Sequence, residues 1–367
     1  MKLPSFNELA REQLDVFEFS PYQSVLVVGP PGSGKTSMAI WRARMMASPE
    51  LGMSVTLITK NRLLCAVAGQ IARENGNDNI GTSTMNSFVW NDYNAQFQKN
   101  PPLLAPWFFD WEQIMVDYAA ADVEPYLNHL IIDEGQNLPY EFFQWAKLYG
   151  AKEISVFADE HQTTEEYGIS IRELRNLGFS TVIPLVINHR NTLAIAKLLS
   201  HFHMERKIPQ ASPVRGIGTP PQLLEINEWD GLADLVARRF RNRRETIGVI
   251  VYGAADVKLL EELLQQRLPD TRVDAYTSGL RKGEEHSIQM REEGVTVISG
   301  ESAIGLEFDS LYLQDLDRSL PTQTPLQHRR LYMLCARAKD ALFLVNGPKP
   351  LSKEQLNSLP SSPILEQ

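Results

Sequence analysis

Cysteine is scarce in this chain. Two residues in 367, Cys65 and Cys335, lie in apolar stretches that read as helical. That excludes a disulfide framework and points to a reducing compartment. No apolar run approaches the ~20 residues of a membrane-spanning helix. The first residues, Met1-Lys2-Leu3-Pro4-Ser5-Phe6-Asn7, lack the character of a signal peptide. The expectation is a cytoplasmic protein with no membrane partner. Positive charge is also in deficit: 36 Lys and Arg stand against 45 Asp and Glu, a net charge of −9. Coating nucleic acid by bulk charge is therefore excluded, whereas a local basic groove is not. Internal repeats and long low-complexity runs are absent.

What is present is a globular composition, 43% hydrophobic and 22% charged, with length enough for two ordinary cores. Apolar strands alternate with amphipathic helices. Strands are predicted at 24–28, 54–59, 128–132, 153–157 and 181–185, then at 247–252, 271–275, 294–298, 309–313 and 341–345. Helices are predicted at 35–48, 61–74, 138–148, 190–204, 230–241, 255–267 and 326–337. This alternation implies an α/β fold with two mainly parallel sheets flanked by helices. The pattern breaks near 190–215, at Ile208-Pro209 and Gly216-Ile217-Gly218-Thr219-Pro220-Pro221. The expected domains are 1–200, with a small insertion near 89–127, and 201–347, followed by a loosely ordered tail over 348–367. Between Phe88 and Trp111 aromatics crowd together: Trp90, Tyr93, Phe97, Trp107, Phe108 and Phe109 join them. Packing of a small helical insertion accounts for most of them; stacking on bases or binding a partner is the alternative. The basic run Arg238-Arg239-Phe240-Arg241-Asn242-Arg243-Arg244 reads as a solvated helix end, and Arg281-Lys282 has an open role.

The most informative segment is Gly29-Pro30-Pro31-Gly32-Ser33-Gly34-Lys35-Thr36. It fits G-x-x-x-x-G-K-[ST], the phosphate-binding loop of nucleotide triphosphatases. The β-branched run Ser24–Val28 precedes it and a helical pattern follows. A strand feeding such a turn aims backbone N–H groups and a helix dipole at one point. Gly32 and Gly34 allow close backbone approach. Lys35 is expected on the β- and γ-phosphates and Thr36 on Mg²⁺. A second constellation, Leu130-Ile131-Ile132-Asp133-Glu134-Gly135-Gln136, is an apolar strand ending in two carboxylates. Asp133 suits the Mg²⁺ shell, and Glu134 suits orienting and deprotonating a water.

With these residues the chain resembles superfamily 1 DNA helicases of the UvrD/PcrA/Rep type, and two RecA-like P-loop domains are what the resemblance implies. It also implies roles for further positions. Gln13, sixteen residues before Gly29, falls where the family reads adenine. Thr59-Lys60-Asn61 and Thr84-Met85-Asn86-Ser87-Phe88 resemble segments that contact single-stranded DNA, with Asn86 in place of the family's His; Lys60, Asn61 and Asn86 are the DNA-contact candidates. Val156–Gln162 is similar to the third motif, with Gln162 as γ-phosphate sensor and Tyr167 as base-stacking aromatic. In Leu185–Thr192, Arg190 corresponds to a γ-phosphate contact, and His189 replaces the Tyr that packs on adenine. Gly305-Leu306-Glu307-Phe308-Asp309 resembles the fifth motif, with Gly305 and Glu307 at the nucleotide; Ile304 replaces the family's Lys, and its His falls near Glu301–Ser302. Arg329–Lys339 resembles the sixth, with Arg337 as the arginine finger.

The large accessory domain of bigger relatives is missing, because Ile247–Tyr252 leads through one helix and the strand at 271–275 almost directly to the fifth motif. The implied activity is an ATP- and Mg²⁺-dependent helicase or translocase on single-stranded DNA, moving 3′ to 5′. The alternative is an ATP- and DNA-controlled subunit of a larger assembly with a nuclease or other protein partner, as in bacterial anti-phage defence. A small-molecule kinase is disfavoured by the helicase-like order of Gln162, Arg190 and Arg337.

Overall fold

A computed structural model describes residues 3–73, 79–159, 168–202, 212–277, 279, 283–288 and 292–367. Gln162, Tyr167, Arg281 and Lys282 lie outside the described residues. The chain divides into two compact units. The first comprises Leu3–Gly29 and Gly34–Leu185; the second contains Pro30–Ser33 and Val186–Gln367.

In the first unit the strands are β1 (Val25–Val28), β2 (Val55–Thr59), β3 (Ile80–Thr84), β4 (Leu103–Ala105), β5 (Phe108–Phe109), β6 (Leu127–Ile132), β7 (Ala151–Ala158) and β8 (Val182–Pro184). Its helices are α1 (Arg11–Glu18), α2 (Lys35–Met46), α3 (Arg62–Ala72), α4 (Met85–Phe97), α5 (Trp111–Ala120), α6 (Tyr140–Trp145) and α7 (Ile171–Asn176). Six strands form one sheet in the order β3-β2-β6-β7-β1-β8, every pair parallel. Parallel strands covered on both faces need near-continuous apolar runs, and Val25-Leu26-Val27 and Leu130-Ile131-Ile132 supply them, fully buried. Asn61, Thr84 and Asp110 start α3, α4 and α5 by accepting N–H bonds from Leu64, Ser87 and Gln113.

In the second unit the strands are β9 (Ile187–Asn188), β10 (Ser212–Pro213), β11 (Gln222–Glu225), β12 (Thr246–Val251), β13 (Val273–Tyr276), β14 (Gly294–Ser299), β15 (Phe308–Leu313) and β16 (Ala338–Asn346). The helices are α8 (Leu193–Phe202), α9 (Trp229–Arg243), α10 (Ala254–Arg267), α11 (Pro325–Cys335) and α12 (Lys353–Asn357). Its sheet runs β11-β16-β15-β12-β14-β13, again wholly parallel. Thr324 and Gln327 close a capping box on α11, with Pro325 in the first turn. The fold is therefore α/β with two six-stranded parallel sheets flanked by helices, as the alternation predicts.

Several local readings differ, three of them in ways that bear on the sheets and the site. Strands β3 and β11 are missing from the sequence-based set: Ile80-Gly81-Thr82-Ser83-Thr84 and Gln222-Leu223-Leu224-Glu225 are edge strands, without a long apolar run. The helix predicted from 190 starts at Leu193, because Asn188 Oδ1 accepts the N–H groups of Arg190 and Asn191 and holds a turn there. The tail, expected to be loose, carries α12, buries Leu359 and Leu365, and exchanges backbone hydrogen bonds with the β11 edge (Leu223 N–H to Glu366 O, 2.7 Å; Glu366 N–H to Pro221 O, 2.9 Å). It covers an edge that would otherwise expose unpaired backbone groups. In the basic run, Arg239 pairs with Glu245 at 2.7 Å, and the exposed arginines sit at the end of α9, where the helix dipole favours cations.

Candidate functional site

Because the first sheet is parallel, the carboxyl ends of its strands share one edge, where ligands bind in open α/β sheets. In spatial order that edge presents Asn86 after β3, Lys60 and Asn61 after β2, Asp133 and Glu134 after β6, Asp159 after β7 and Gly29 after β1. Four of the five strand ends thus carry the residues singled out in the sequence.

Lys35 opens α2 and folds back over the loop. Its Nζ donates to the Gly29 carbonyl at 2.5 Å and faces Asp159 Oδ2 at 3.5 Å. Gly34, at φ +92°, caps α2 in the left-handed region. A side chain there would come within 2.5 Å of Gln13 Nε2. Gln13 is buried, and its Oε1 accepts the Ala10 N–H at 3.0 Å. Gly34→Ala is therefore expected to strain the loop by ~1–3 kcal/mol and to push Gln13 aside. A heat scan should show a lower melting temperature than wild type.

Asp133 and Glu134 differ in environment. Both carboxylate oxygens of Asp133 are buried with no hydrogen-bond partner among the described residues. Burial, and after it the charge of Glu134, push this carboxyl up to about 7, against the opposing pull of Thr36 and Lys35. A buried carboxylate beside a threonine hydroxyl, with neither oxygen in a well-formed hydrogen bond, fits a divalent cation. Among the described residues no group of three or more His, Cys, Asp or Glu could hold a metal by itself. Glu134 adopts φ +57°, ψ +37°. A left-handed conformation in a non-glycine residue is costly and persists only where its surroundings enforce it. Gln136 lies beside it and ties its carboxylate to β7: Nε2 donates to Glu134 Oε2 at 2.7 Å, while Oε1 accepts the Asp159 N–H at 3.0 Å. In the sequence Gln136 stands only as the last residue of that motif, and nothing there marks its bridge to Asp159.

Arg42 was also missed. It lies on the buried face of α2 beside Met38, Ala39 and Met46. Its guanidinium donates to Val16 O (2.7 Å), Phe19 O (2.9 Å), Ser20 O (3.4 Å) and Ser155 Oγ (3.3 Å). Burial lowers it to about 10, so it stays charged at neutral pH. The three carbonyls belong to the end of α1 and the turn after it, so Arg42 ties α2 to α1, the helix that carries Gln13. The signal in the sequence was an arginine within an otherwise apolar helical stripe.

The same network continues to His129. Pro21 O can only accept, so His129 Nδ1 carries the proton (2.9 Å) and Nε2 accepts from Ser155 Oγ (2.8 Å). Burial, then the charge of Arg42, depress its pKa to about 3. Between the unfolded value near 6.5 and this value, the unfolded chain binds the extra proton, so stability falls as pH drops through that window. From pH 7 to pH 5 the loss attributable to His129 is ~2 kcal/mol. Urea titrations at both pH values check this: the difference between wild type and His129→Gln should change by that amount.

The DNA-contact candidates are placed as follows. Asn61 Oδ1 accepts the Leu64 N–H at 2.7 Å and so caps α3. Asn86 Oδ1 is buried with no hydrogen-bond partner among the described residues. Lys60 is half-buried at the end of β2.

In the second unit the loop segment Pro30–Ser33 meets the turn after β9. His189 N–H donates to Gly32 O at 2.9 Å, and a side chain at Gly32 (φ +81°) would collide with Asn188 Oδ1. Arg190 Nε pairs with Glu307 Oε2 at 3.0 Å, and its Nη1 donates to Ala336 O at 3.3 Å. Burial raises the Glu307 carboxyl, but Arg190 and Lys339 outweigh it and hold it below the usual range. Gly305 is left-handed at φ +81°. Arg337 is buried, with Nε on Met333 O at 3.0 Å and Nη1 on Leu306 O at 3.5 Å. Asn191 Nδ2 ties the turn to Ala338 O at 2.6 Å. Gly32, Arg190, Glu307 and the Ala336–Arg337 corner are thus drawn into one neighbourhood.

No known protein family and no curated protein matches the chain. Among the described residues no helix is long and apolar enough to cross a membrane. Among solved structures the chain is similar to the C-terminal domain of a possible DNA helicase from Lactobacillus plantarum WCFS1, at 22% identity over 48% of this chain and 97% of that one, with a TM-score of 0.35.

Proposed function

We propose that the chain hydrolyses ATP with Mg²⁺ and uses the cycle to move along single-stranded DNA, 3′ to 5′, as a compact superfamily 1 helicase or translocase. The observation that carries the hydrolytic part is the pair at the end of β6. The Asp133 carboxylate is buried with no hydrogen-bond partner among the described residues, and the left-handed Glu134 has its carboxylate hydrogen-bonded to Gln136, on the same sheet edge as Lys35.

In this reading Lys35 leaves the Gly29 carbonyl to meet the β- and γ-phosphates, while the N–H groups of the loop receive phosphate oxygens. Thr36 and Asp133 hold Mg²⁺, and Gln13 reads the base. Bound Mg²⁺ supplies positive charge where negative charge builds up on the phosphates. Glu134 orients the attacking water and takes its proton. Gln136 keeps that carboxylate in place. Arg190 is assigned to the γ-phosphate and Glu307 to the ribose on the resemblance alone. His189 and Gly305 are assigned to the nucleotide, and Arg337 to the charge on the transferring phosphoryl group, on the same ground. Gln162 is assigned as sensor and Tyr167 as stacking residue on the resemblance alone. Lys60, Asn61 and Asn86 are assigned to the DNA because they lie on the flank of the same sheet edge.

Phosphate release from ATP, measured with and without a 30-nucleotide oligo(dT), tests this proposal. Stimulation of tenfold or more supports coupling. Equal, slow turnover in both would overturn the coupling and leave a DNA-independent nucleotidase.

A further inference from the structure

The aromatic stretch between β3 and β6 is only partly taken up by the core. Phe88, Tyr93, Phe109 and Tyr118 are buried, and Phe97 and Trp111 pack against them. The β4–β5 hairpin turns its other apolar residues to solvent: Leu104 is 76% exposed, Trp107 80% and Phe108 57%. Trp107 sits at φ +71°, a conformation that is strained for a bulky residue. No third strand joins this hairpin among the described residues, and its length is below what is stable alone in water. An exposed aromatic pair, a strained backbone and an open edge coincide within seven residues. Solvated surface gives no reason for any of the three, whereas Trp and other aromatics are what anchors protein interfaces.

Charge identifies the occupant. From Lys99 to Tyr126 the chain carries five carboxylates, Asp110, Glu112, Asp117, Asp122 and Glu124, and one cation, Lys99. Lys99 pairs with Asp117 at 3.1 Å. Glu112, Asp122 and Glu124 are exposed and have no basic partner among the described residues. Glu112 follows the hairpin directly in the first turn of α5, exposed Val116 lies one helical turn on, and Asp122 and Glu124 follow the helix end. The acidic stretch is about 15 Å long. A phosphate backbone is repelled by such a rim, and a second copy of this chain brings the same charge to it. A cationic protein segment is attracted.

We propose that the β4–β5 hairpin and the outer side of α5 form a docking site for a basic, apolar-studded segment of a partner protein. The segment extends the hairpin as an added strand, seats its apolar side chains on Leu104, Trp107 and Phe108, and sets Lys or Arg against Glu112, Asp122 and Glu124. This surface is independent of the nucleotide chemistry proposed above.

The test uses the full chain and a labelled 12-residue peptide of alternating arginine and leucine, followed by fluorescence anisotropy. Peptide binding is expected, and its dissociation constant should rise at least tenfold for Leu104→Ser/Trp107→Ser and for Glu112→Lys/Glu124→Lys. Trp107→Phe, which keeps an aromatic anchor, should stay within threefold of wild type. So should Glu18→Lys/Glu50→Lys, which changes the net charge equally elsewhere on the unit. Far-ultraviolet circular dichroism melts establish that each variant is folded. Equal binding by all variants would overturn the proposal by reducing the attraction to bulk charge. Loss of oligo(dT) binding in the hairpin pair would reassign the surface to nucleic acid. A dimer in sedimentation that the hairpin pair abolishes would reassign it to a second copy.

Discussion

Replacing Glu134 by Gln is expected to slow ATP turnover by ~10²–10⁴-fold, the range lost with a positioned general base. Binding of Mg²⁺ and ATP should be kept. The substitution removes the proton acceptor but little volume, and Gln136 can still hydrogen-bond to the amide oxygen. It also removes the negative charge that, after burial, does most to push the Asp133 carboxyl up. Asp133 is then more readily ionised, and affinity for Mg²⁺·ATP should be equal or tighter. Single-turnover hydrolysis with calorimetric titration of Mg²⁺·ATP separates the two effects. A loss of turnover with a parallel loss of affinity would mean that Glu134 shapes the site rather than acting in it.

Replacing Arg42 by Met is expected to destabilise the first unit by ~3–5 kcal/mol, the range for removing one partner from a buried charged network. The carbonyls of Val16, Phe19 and Ser20 lose their donors, and methionine fills most of the volume without replacing any of them. For a unit of this size the melting temperature should fall on the order of 10 °C. Because the clamped segment carries Gln13, the Michaelis constant for ATP should rise in any protein that remains folded. Arg42→Lys keeps the charge but not the fork of donors, and belongs between the two. Melting within 1 kcal/mol of wild type would show that the clamp does not hold α1 in place.

How much of this was legible in the sequence depended on the residue. Central strands such as Val25–Val28 and Leu130–Ile132 were readable because burial on both faces demands unbroken apolar runs. Edge strands such as β3 lacked that signal. The Gly29–Thr36 loop and the Asp133-Glu134 pair stood out because each follows an apolar strand with a fixed pattern of residue types, and the fold brings both to one sheet edge. The bridge by Gln136 and the clamp by Arg42 were not, since each joins segments distant in sequence: Gln136 reaches Asp159, and Arg42 reaches Val16 and Ser155. The aromatic stretch was half legible. Composition identified it, but only the fold separates buried Tyr93 and Phe109 from exposed Trp107 and Phe108.

Movement along a strand is the central claim, and displacement of streptavidin from biotinylated oligo(dT) measures it most directly. With ATP and Mg²⁺, the account predicts release from a 5′-biotin end, little release from a 3′-biotin end, and none from either with Glu134→Gln. Active ATP hydrolysis with no release from either end would contradict it, and would leave a nucleotide-controlled subunit that holds DNA without travelling on it.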